Sequence, residues 1–350
     1  MKSVDLFRIS QIGILACTLN VYGQKGPNNV EQRVDNILSQ MTLDEKISYI
    51  GGTPFFDVKP IPLPNLQAPL NPQIFQTDAG LGVRNSPASV RYPSGLVLAA
   101  TFNRARATDA GAGLGRDTRA RGFFSILGPG MDFYRTPYGG RNFEYMTGED
   151  PYLGSQLIPK VVEAIQEQGV WACAKHYVCN DQEVNRTNIN EIIDERTLRE
   201  IYLPPFEAAV KEGHAATIMG AYNFLQIGNL LSAQCNESSF LLTEVLKNEW
   251  GFTGFVMSDY DAIHTGVNAY LAGCDLDLPN GQFMNSTTLE ALIENRTLPE
   301  SILDDKGAES FVRLFRLDSS TGSSSIVRSR WTIPRANRRR WIPHAKGSCF

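Results

Sequence analysis

The sequence contains six cysteines, but no two of them are spaced as a C-x-x-C pair. Structural zinc sites are usually built on such pairs, so this class of metal site is not expected. Long apolar runs are also missing, and no segment has the length that a helix needs to cross a bilayer. No Gly-rich phosphate fingerprint follows an early strand-like run, which argues against a dinucleotide-binding fold.

An excess of positive charge is absent as well. The chain of 350 residues carries 33 Lys and Arg against 37 Asp and Glu, a formal net charge of −4. Domains that bind nucleic acid or an anionic membrane surface are typically basic, so neither is predicted as a partner. The composition, 42% hydrophobic and 20% charged, is that of an ordinary globular protein. The length fits one large barrel domain or two smaller domains.

The N-terminus has the features of an export signal. Lys2 and Arg8 precede a mildly apolar stretch, residues 9–22, which ends near Gly23. This pattern predicts a signal peptide over residues 1–23 and a secreted or periplasmic location. The alternative is an N-terminal segment that simply frays from the domain that follows it.

The residue composition of the sequence changes after residue 306. Ser, Thr and Gly fill residues 319–325, and arginines with two tryptophans crowd residues 328–341, without any amphipathic period. We predict a folded domain over residues 24–306 and a low-complexity Ser- and Arg-rich tail over 307–350, disordered or produced by a frameshift. The alternative is a basic tail that binds nucleic acid or an acidic surface.

Between these ends, strand-like and helix-like segments alternate. The predicted strands are residues 74–77, 125–128, 172–174, 216–219 and 254–258. Helical spacing is found over residues 28–41, 103–122, 155–168, 194–212, 238–250 and 262–272, with Thr42 as the N-cap of a further helix. This alternation predicts an α/β fold with a parallel sheet, and we favour a TIM-type (β/α)8 barrel over an open doubly wound sheet.

The most informative strand is the apolar run that ends at Asp259. In a (β/α)8 barrel, residues at the carboxyl ends of the strands face the active site, where a carboxylate is placed to attack a substrate carbon. The alternative is that Ser258 and Asp259 only cap the following helix.

Polar motifs follow the other predicted strands too. They are TDAGLGVR at 77–84, RTPYGGRNFE at 135–144, AKHYVCN at 174–180 and MGAYN at 219–223. Each motif alone fits a structural ion pair as well as a functional site. Their shared position after strands predicts a single site at one end of the sheet.

The order of these motifs resembles glycoside hydrolase family 3, the β-glucosidase and β-xylosidase type, over about residues 30–305. The resemblance implies the N-terminal barrel domain of a retaining glycosidase that hydrolyses terminal non-reducing β-D-glucosyl or xylosyl residues. Its expected partner is a β-linked oligosaccharide or an aryl or alkyl glycoside, and a homodimer is a further expectation. No metal or organic cofactor is implied.

Carried over by position, Asp259 resembles the catalytic nucleophile of that family. Asp78 resembles the carboxylate that binds sugar hydroxyls, and Arg84 its neighbour. The other residues that resemble the substrate-binding set are Arg141, Lys175, His176, Met219, Tyr222 and Tyr260. Charged groups of both signs suit a sugar, because each hydroxyl both donates and accepts hydrogen bonds.

The chain departs from the family in three respects, of which the replacement of the usual Asp-Gly-Pro by Asp-Ala-Gly at residues 78–80 is minor because the acid remains. Tyr260 and Asp261 stand where the family has Trp-Gly, and a buried Asp261 would raise the pKa of Asp259, whereas an Asp261 that faces solvent would not. No acid/base residue is recognisable, since that residue belongs to a second domain in the glucosidase branch and to a His-containing loop in the hexosaminidase branch. Asp181 and Glu183 are the nearest substitutes.

Weak or no turnover is therefore expected of the chain alone. Two other interpretations stay open. One is a catalytically inactive sugar-binding barrel, and the other is a lysine-based enzyme with a Schiff base at Lys175.

Overall fold

The computed structural model describes residues 28–54, 57–61, 73–78, 80–84, 86 and 89–320, with side chains between residues 30 and 312 of these ranges. The predicted signal peptide, residues 1–23, lies outside the described residues. So does the part of the predicted tail from residue 321 onward. The alanine at position 79 of the first motif is likewise outside them.

The described residues form eight strands, and five of them make one parallel sheet. In chain order the strands are β1 Gln76–Asp78, β2 Ser125–Leu127, β3 Trp171–Tyr177, β4 Asn190–Ile193, β5 Thr217–Gly220, β6 Phe224–Ile227, β7 Ala233–Gln234 and β8 Phe255–Met257. The parallel sheet has the order β1-β2-β3-β5-β8. These are the five strands that the sequence predicts.

The other three strands form a small sheet in the order β4-β6-β7. β4 runs parallel to β6, and β7 runs antiparallel to it. The sequence analysis missed this sheet. Its strands are short and carry Asn190, Glu191 and Gln226 among their apolar residues, so they lack the continuous apolar run that marks a buried strand.

Helices connect the strands of the parallel sheet and cover it. The α-helices are Asn28–Leu38, Leu43–Ile50, Gly95–Ala99, Arg104–Ala120, Pro151–Gln166, Glu195–Thr197, Pro204–Lys211, Gly266–Ala272, Ser286–Glu294 and Glu300–Ser320. Two π-helical segments, Leu198–Tyr202 and Phe240–Glu249, complete predicted helices. In the described ranges, no helix is long and apolar enough to cross a membrane.

Two details of the helices follow directly from sequence. The Thr42 hydroxyl accepts from the Glu45 backbone N–H at 3.3 Å, and a Glu45 carboxylate oxygen accepts from the Thr42 N–H at 2.8 Å. This is the capping box that the sequence predicts. The predicted helix 194–212 is instead interrupted before Pro204, because Pro204 and Pro205 have no N–H to continue the hydrogen-bond ladder.

The parallel sheet curls toward the first helices. Beyond β8, Met257 pairs in parallel with Leu276, and Asp277 pairs in parallel with Gly51. A curled parallel sheet with helices on its outer face is the arrangement of a TIM-type barrel. Hydrogen bonds among the described residues do not close the ring.

Both faces of the sheet are buried, and alternate side chains enter two separate apolar clusters. Trp171 and Phe255 lie in one cluster, with ring centroids 5.6 Å apart. Ala172 and Val256, next to them in the sequence, lie in the other cluster against the connecting helices. This two-sided burial explains why the strands appear in the sequence as continuous apolar runs.

The predicted domain boundary at residue 306 is wrong. Helix Glu300–Ser320 passes through it, and Lys306, Ser310 and Phe311 are all buried. The Phe311 ring lies 4.9 Å from that of Tyr49, and the Tyr49 hydroxyl is 2.9 Å from the Ser310 hydroxyl. The second half of this helix does carry apolar residues at helical spacing, Phe311, Leu314 and Phe315 among them, but the sequence analysis assigned it to the tail because Ser- and Arg-rich residues follow it.

Replacing Phe311 by alanine is expected to lower the free energy of unfolding by about 3–5 kcal/mol, because it leaves a cavity in a fully buried site. Urea denaturation measures the change. The matched control is Phe102→Ala, since Phe102 is 75% exposed, and a change within about 0.5 kcal/mol is expected there. Equal effects of the two substitutions would contradict an integral helix Glu300–Ser320.

Candidate active site

The predicted site residues converge at one end of the parallel sheet. Asp78 ends β1, Lys175 and His176 lie near the end of β3, Tyr222 follows β5, and Asp259 follows β8. Because the strands are parallel, their carboxyl ends meet at the same rim. The structure therefore brings together side chains that are far apart in the sequence.

Asp259 is buried at this rim among hydrogen-bond donors and cations. One carboxylate oxygen, Oδ1, accepts from the Tyr260 backbone N–H at 2.6 Å, and the nearby Tyr222 side chain also favours the ionised carboxylate. Burial raises the pKa of Asp259, while the charges of Arg141 and Lys175 oppose that rise. The next helix begins at Gly266, so the interpretation of Asp259 as a helix cap is wrong.

Lys175 links two carboxylates of the site. Its Nζ lies 3.8 Å from Asp78 Oδ1 and 3.8 Å from Glu144 Oε2. Arg141 donates from Nε to Glu144 Oε1 at 2.6 Å. Burial opposes ionisation of Glu144, but the charges of Lys175 and Arg141 overcome it and lower the pKa of Glu144 below its ordinary value. The buried centre of the site is thus a compact network of alternating charges.

Arg84 occupies the outer edge of this network. Its Nη1 lies 3.7 Å from Asp78 Oδ2, and its side chain is 64% exposed. An ion pair this exposed contributes little to stability. Arg84 is therefore placed to meet a ligand that enters from solvent.

Asp132 was missed by the sequence analysis, although it lies at the centre of the site. Its Oδ2 accepts from the His176 backbone N–H at 2.8 Å and lies 3.2 Å from His176 Nδ1. The other ring nitrogen, Nε2, lies 3.4 Å from Asp259 Oδ2. The only sequence signal for Asp132 is its position shortly after β2, as for the other site residues.

The two substitute acids considered from sequence lie in different surroundings. Glu183 contacts cations, with Oε2 at 2.5 Å from Arg186 Nη1. The Arg186 guanidinium in turn lies 3.7 Å above the Tyr222 ring. Asp181 accepts from the Tyr202 hydroxyl at 3.0 Å, and burial raises the pKa of Asp181 to about 7.

The remaining predicted residues differ in how they can meet a ligand. Met219 is buried in β5 opposite Met257 of β8, within the apolar cluster beneath the site. Tyr260 is 40% exposed beside Asp259, so its ring is accessible from the rim. Asp261 is exposed, as expected if it faces solvent. Across the described part of the chain, no group of three or more His, Cys, Asp or Glu side chains is placed to hold a metal ion.

The site combines buried carboxylates with buried cations and two aromatic rings, which suits a ligand rich in hydroxyl groups. Comparison with known proteins is consistent with this chemistry. The model of the glycosyl hydrolase family 3 N-terminal domain matches residues 65–313.

The chain belongs to glycoside hydrolase family 3. It is 38% identical over 283 residues to thermostable beta-glucosidase B of Acetivibrio thermocellus, covering 77% of this chain and 36% of that protein. It is 34% identical over 317 residues to a beta-glucosidase of Bacteroides ovatus, covering 82% of this chain and 40% of the relative. The chain thus spans little more than a third of the length of these family 3 relatives.

Solved family 3 structures share the fold. Beta-glucosidase 3B of Thermotoga neapolitana in complex with glucose has a TM-score of 0.73 at 31% identity, over 85% of this chain and 46% of that one. The beta-glucosidase of Kluyveromyces marxianus in complex with glucose has a TM-score of 0.74 at 31% identity, over 83% of this chain and 35% of that one. The TIM-type barrel and the family predicted from sequence are therefore confirmed, while the roles of individual residues stay predictions.

Replacing Glu144 by glutamine tests the charge network. The pKa of Glu144 is lowered by folding, so its stabilising contribution is present above the unfolded-state value of 4.5 and is lost as the pH falls through the native value. We expect Glu144→Gln to destabilise the protein at neutral pH and to lose this effect in acid. Urea denaturation at a series of pH values from neutral to acidic measures the loss of stability and its dependence on pH.

The control is Glu149→Gln, which changes an exposed glutamate in the same loop. It is expected to leave the free energy of unfolding within about 0.5 kcal/mol of the parent at every pH. A destabilisation by Glu144→Gln that does not depend on pH would contradict the network.

Proposed function

We propose that this family 3 domain supplies the nucleophile and the sugar-holding subsite for hydrolysis of terminal β-D-glucosyl residues, with xylosyl residues as the alternative. The observation that carries the proposal is the setting of Asp259. Its carboxylate is buried at the carboxyl end of β8, accepts from the Tyr260 N–H, and lies in the field of Arg141 and Lys175. Cations and donors favour the ionised form, which is the form that attacks.

The reaction that fits is double displacement. An Asp259 oxygen bonds to the anomeric carbon while the bond from that carbon to the leaving oxygen breaks, and a general acid protonates that oxygen. The same group then takes a proton from water, which attacks the anomeric carbon and releases Asp259. Two inversions at one carbon retain its configuration.

The sugar is proposed to lie over Asp78, Lys175 and Arg141. Asp78 is one-third exposed and offers acceptors, while the two cations offer donors to the same ligand. The exposed ring of Tyr260 is suited to stack on a sugar face. The glucose complexes of the Thermotoga neapolitana and Kluyveromyces marxianus enzymes support glucose as the sugar.

The general acid is proposed to come from outside the described barrel. The carboxyl groups of Asp78, Glu144 and Glu183 are engaged by cations, which suits binding rather than proton donation. Asp181, whose pKa is raised by burial to about 7 and which accepts from the Tyr202 hydroxyl, is the alternative within the barrel. Without a positioned acid, hydrolysis of natural glycosides is expected to be slower by about 10²- to 10⁴-fold. An activated leaving group needs less of this help.

Two further predictions concern the protein beyond its site. The basic and mildly apolar residues 1–23 support export to a secreted or periplasmic location. Association into a homodimer stays a proposal as well. N-terminal sequencing of the exported protein tests the signal peptide. Gel filtration with light scattering of the mature protein tests the homodimer.

Trapping the glycosyl-enzyme tests the proposed function. Incubation with an activated 2-deoxy-2-fluoro-β-glucoside is expected to add one sugar to the chain, because the fluorine slows breakdown of the intermediate and the leaving group departs without an acid. Intact mass spectrometry detects the adduct, and peptide mapping is expected to place it on Asp259.

Two variants serve as controls for this experiment. Asp259→Asn removes the nucleophile and is expected to abolish labelling. Asp261→Asn changes an exposed carboxylate two positions away and is expected to leave labelling intact. A folded protein that binds glucose but takes no label at Asp259 would overturn the proposal in favour of a sugar-binding barrel.

A further inference from the structure

Asp132 is the most deeply buried carboxyl group of the site, and its side-chain hydrogen bonds among the described residues go to His176 at the end of β3 and to Asn180 just beyond it. Its side chain has no exposed surface. Oδ2 accepts from the His176 N–H and faces His176 Nδ1, and Oδ1 accepts from the Asn180 N–H at 3.3 Å. Asp132 therefore touches both the backbone and the ring of His176.

The His176 ring is held between two carboxyl groups. Nδ1 lies 3.2 Å from Asp132 Oδ2, and Nε2 lies 3.4 Å from Asp259 Oδ2. Among the described residues, Nε2 and Asp259 Oδ2 are both buried without a well-formed hydrogen bond. At 3.4 Å, each is placed to serve as a partner of the other.

The charges around His176 oppose a charged ring. Burial together with Arg141, Lys175 and Arg186 lowers the pKa of His176 well below its ordinary value. Burial also raises the pKa of Asp132 well above its ordinary value. These directions favour the neutral forms of the ring and of the Asp132 carboxyl group, whereas the charges of Arg141 and Lys175 favour the ionised form of Asp259 against its burial.

A neutral ring carries a single N–H, and the two positions are not equivalent here. A proton on Nδ1 would leave the Nε2 lone pair facing the Asp259 carboxylate in a buried site, which is repulsive. A proton on Nε2 gives that carboxylate a donor and leaves Nδ1 to accept from the Asp132 carboxyl group. Oδ2 of Asp132 can donate to Nδ1 and still accept from the His176 N–H.

We propose that Asp132 is a positioning residue: as a protonated carboxyl group it donates to His176 Nδ1 and so presents Nε2–H to Asp259. This inference rests on the proposed function, because it assigns the arrangement to the orientation of the nucleophile. Asp132 does not reach the sugar. It acts through His176, which holds Asp259 Oδ2 and favours the ionised nucleophile.

The position of the ring proton is measured directly by nitrogen-15 NMR of histidine-labelled full-length protein. The chain has four histidines, and His176→Gln identifies the signals of His176. At neutral pH we expect a neutral ring with its proton on Nε2 and an unprotonated Nδ1. A proton on Nδ1, or a doubly protonated ring, would overturn the inference.

Two variants test whether Asp132 causes this state. Asp132→Ala removes the partner of Nδ1, so we expect His176 to lose its single tautomer and the rate of labelling at Asp259 to fall about tenfold or more. Asp132→Asn keeps a side chain of the same shape with a donor and an acceptor. Its amide nitrogen can donate to Nδ1 but cannot also accept from the His176 N–H as Oδ2 does. Asp132→Asn is therefore expected to retain the Nε2–H tautomer, with a labelling rate between that of Asp132→Ala and that of the parent.

The matched control is Asp57→Ala. Asp57 is a buried carboxyl group outside the site, where it accepts from the Gln76 N–H at 2.9 Å. It is expected to lower the melting temperature without changing the His176 signals. If Asp132→Ala only destabilises in the same way and leaves the tautomer unchanged, Asp132 has no positioning role.

The readout separates this inference from the proposed function. The tautomer is visible whether or not the protein takes a label. The Nε2–H form in a protein that never labels would refute the nucleophile while upholding the Asp132–His176 arrangement. Labelling at Asp259 in a protein whose His176 ring carries its proton on Nδ1 would uphold the nucleophile and refute the Asp132–His176 arrangement.

Discussion

The attraction between two buried cations and the carboxylates around them is the interaction on which the site depends. Lys175 and Arg141 are largely withdrawn from solvent, and so is Glu144. Without the cations, the carboxylates of Asp78, Glu144 and Asp259 would repel one another across a small volume. With them, the parallel sheet can gather acidic side chains at one rim and keep them charged.

This constraint also explains how the fold and the chemistry are related. The sheet is buried on both faces, so it can display polar groups only where its strands end. Every strand of the parallel sheet ends in, or leads shortly to, a site residue. Solved family 3 structures share this fold at 31% identity, which indicates that the fold tolerates wide variation in sequence.

Sequence reasoning found the parts of this protein whose signal is local. The five core strands were visible because both faces are apolar, and Asp259, Lys175 and His176 were visible because they end such runs. Asp132 was not visible, because the role of a single aspartate in a loop can be recognised only from the contact it makes with the His176 ring. The small sheet β4-β6-β7 was missed for a related reason, because its pattern is weak and its strands are stabilised by pairing with one another. The second half of helix Glu300–Ser320 was missed although its apolar spacing is helical, because it lies next to the Ser- and Arg-rich residues that follow.

The contact between Tyr49 and the helix Glu300–Ser320 also bears on how the domain is made. The hydroxyls of Tyr49 and Ser310 are 261 positions apart in the chain. A ribosome adds about 5–20 residues per second, so roughly 13–50 s separate the synthesis of these two partners. Throughout that interval the apolar face of helix Leu43–Ile50 cannot pack against helix Glu300–Ser320. The nascent chain therefore exposes an apolar surface, which a chaperone is well suited to cover until helix Glu300–Ser320 has been synthesised.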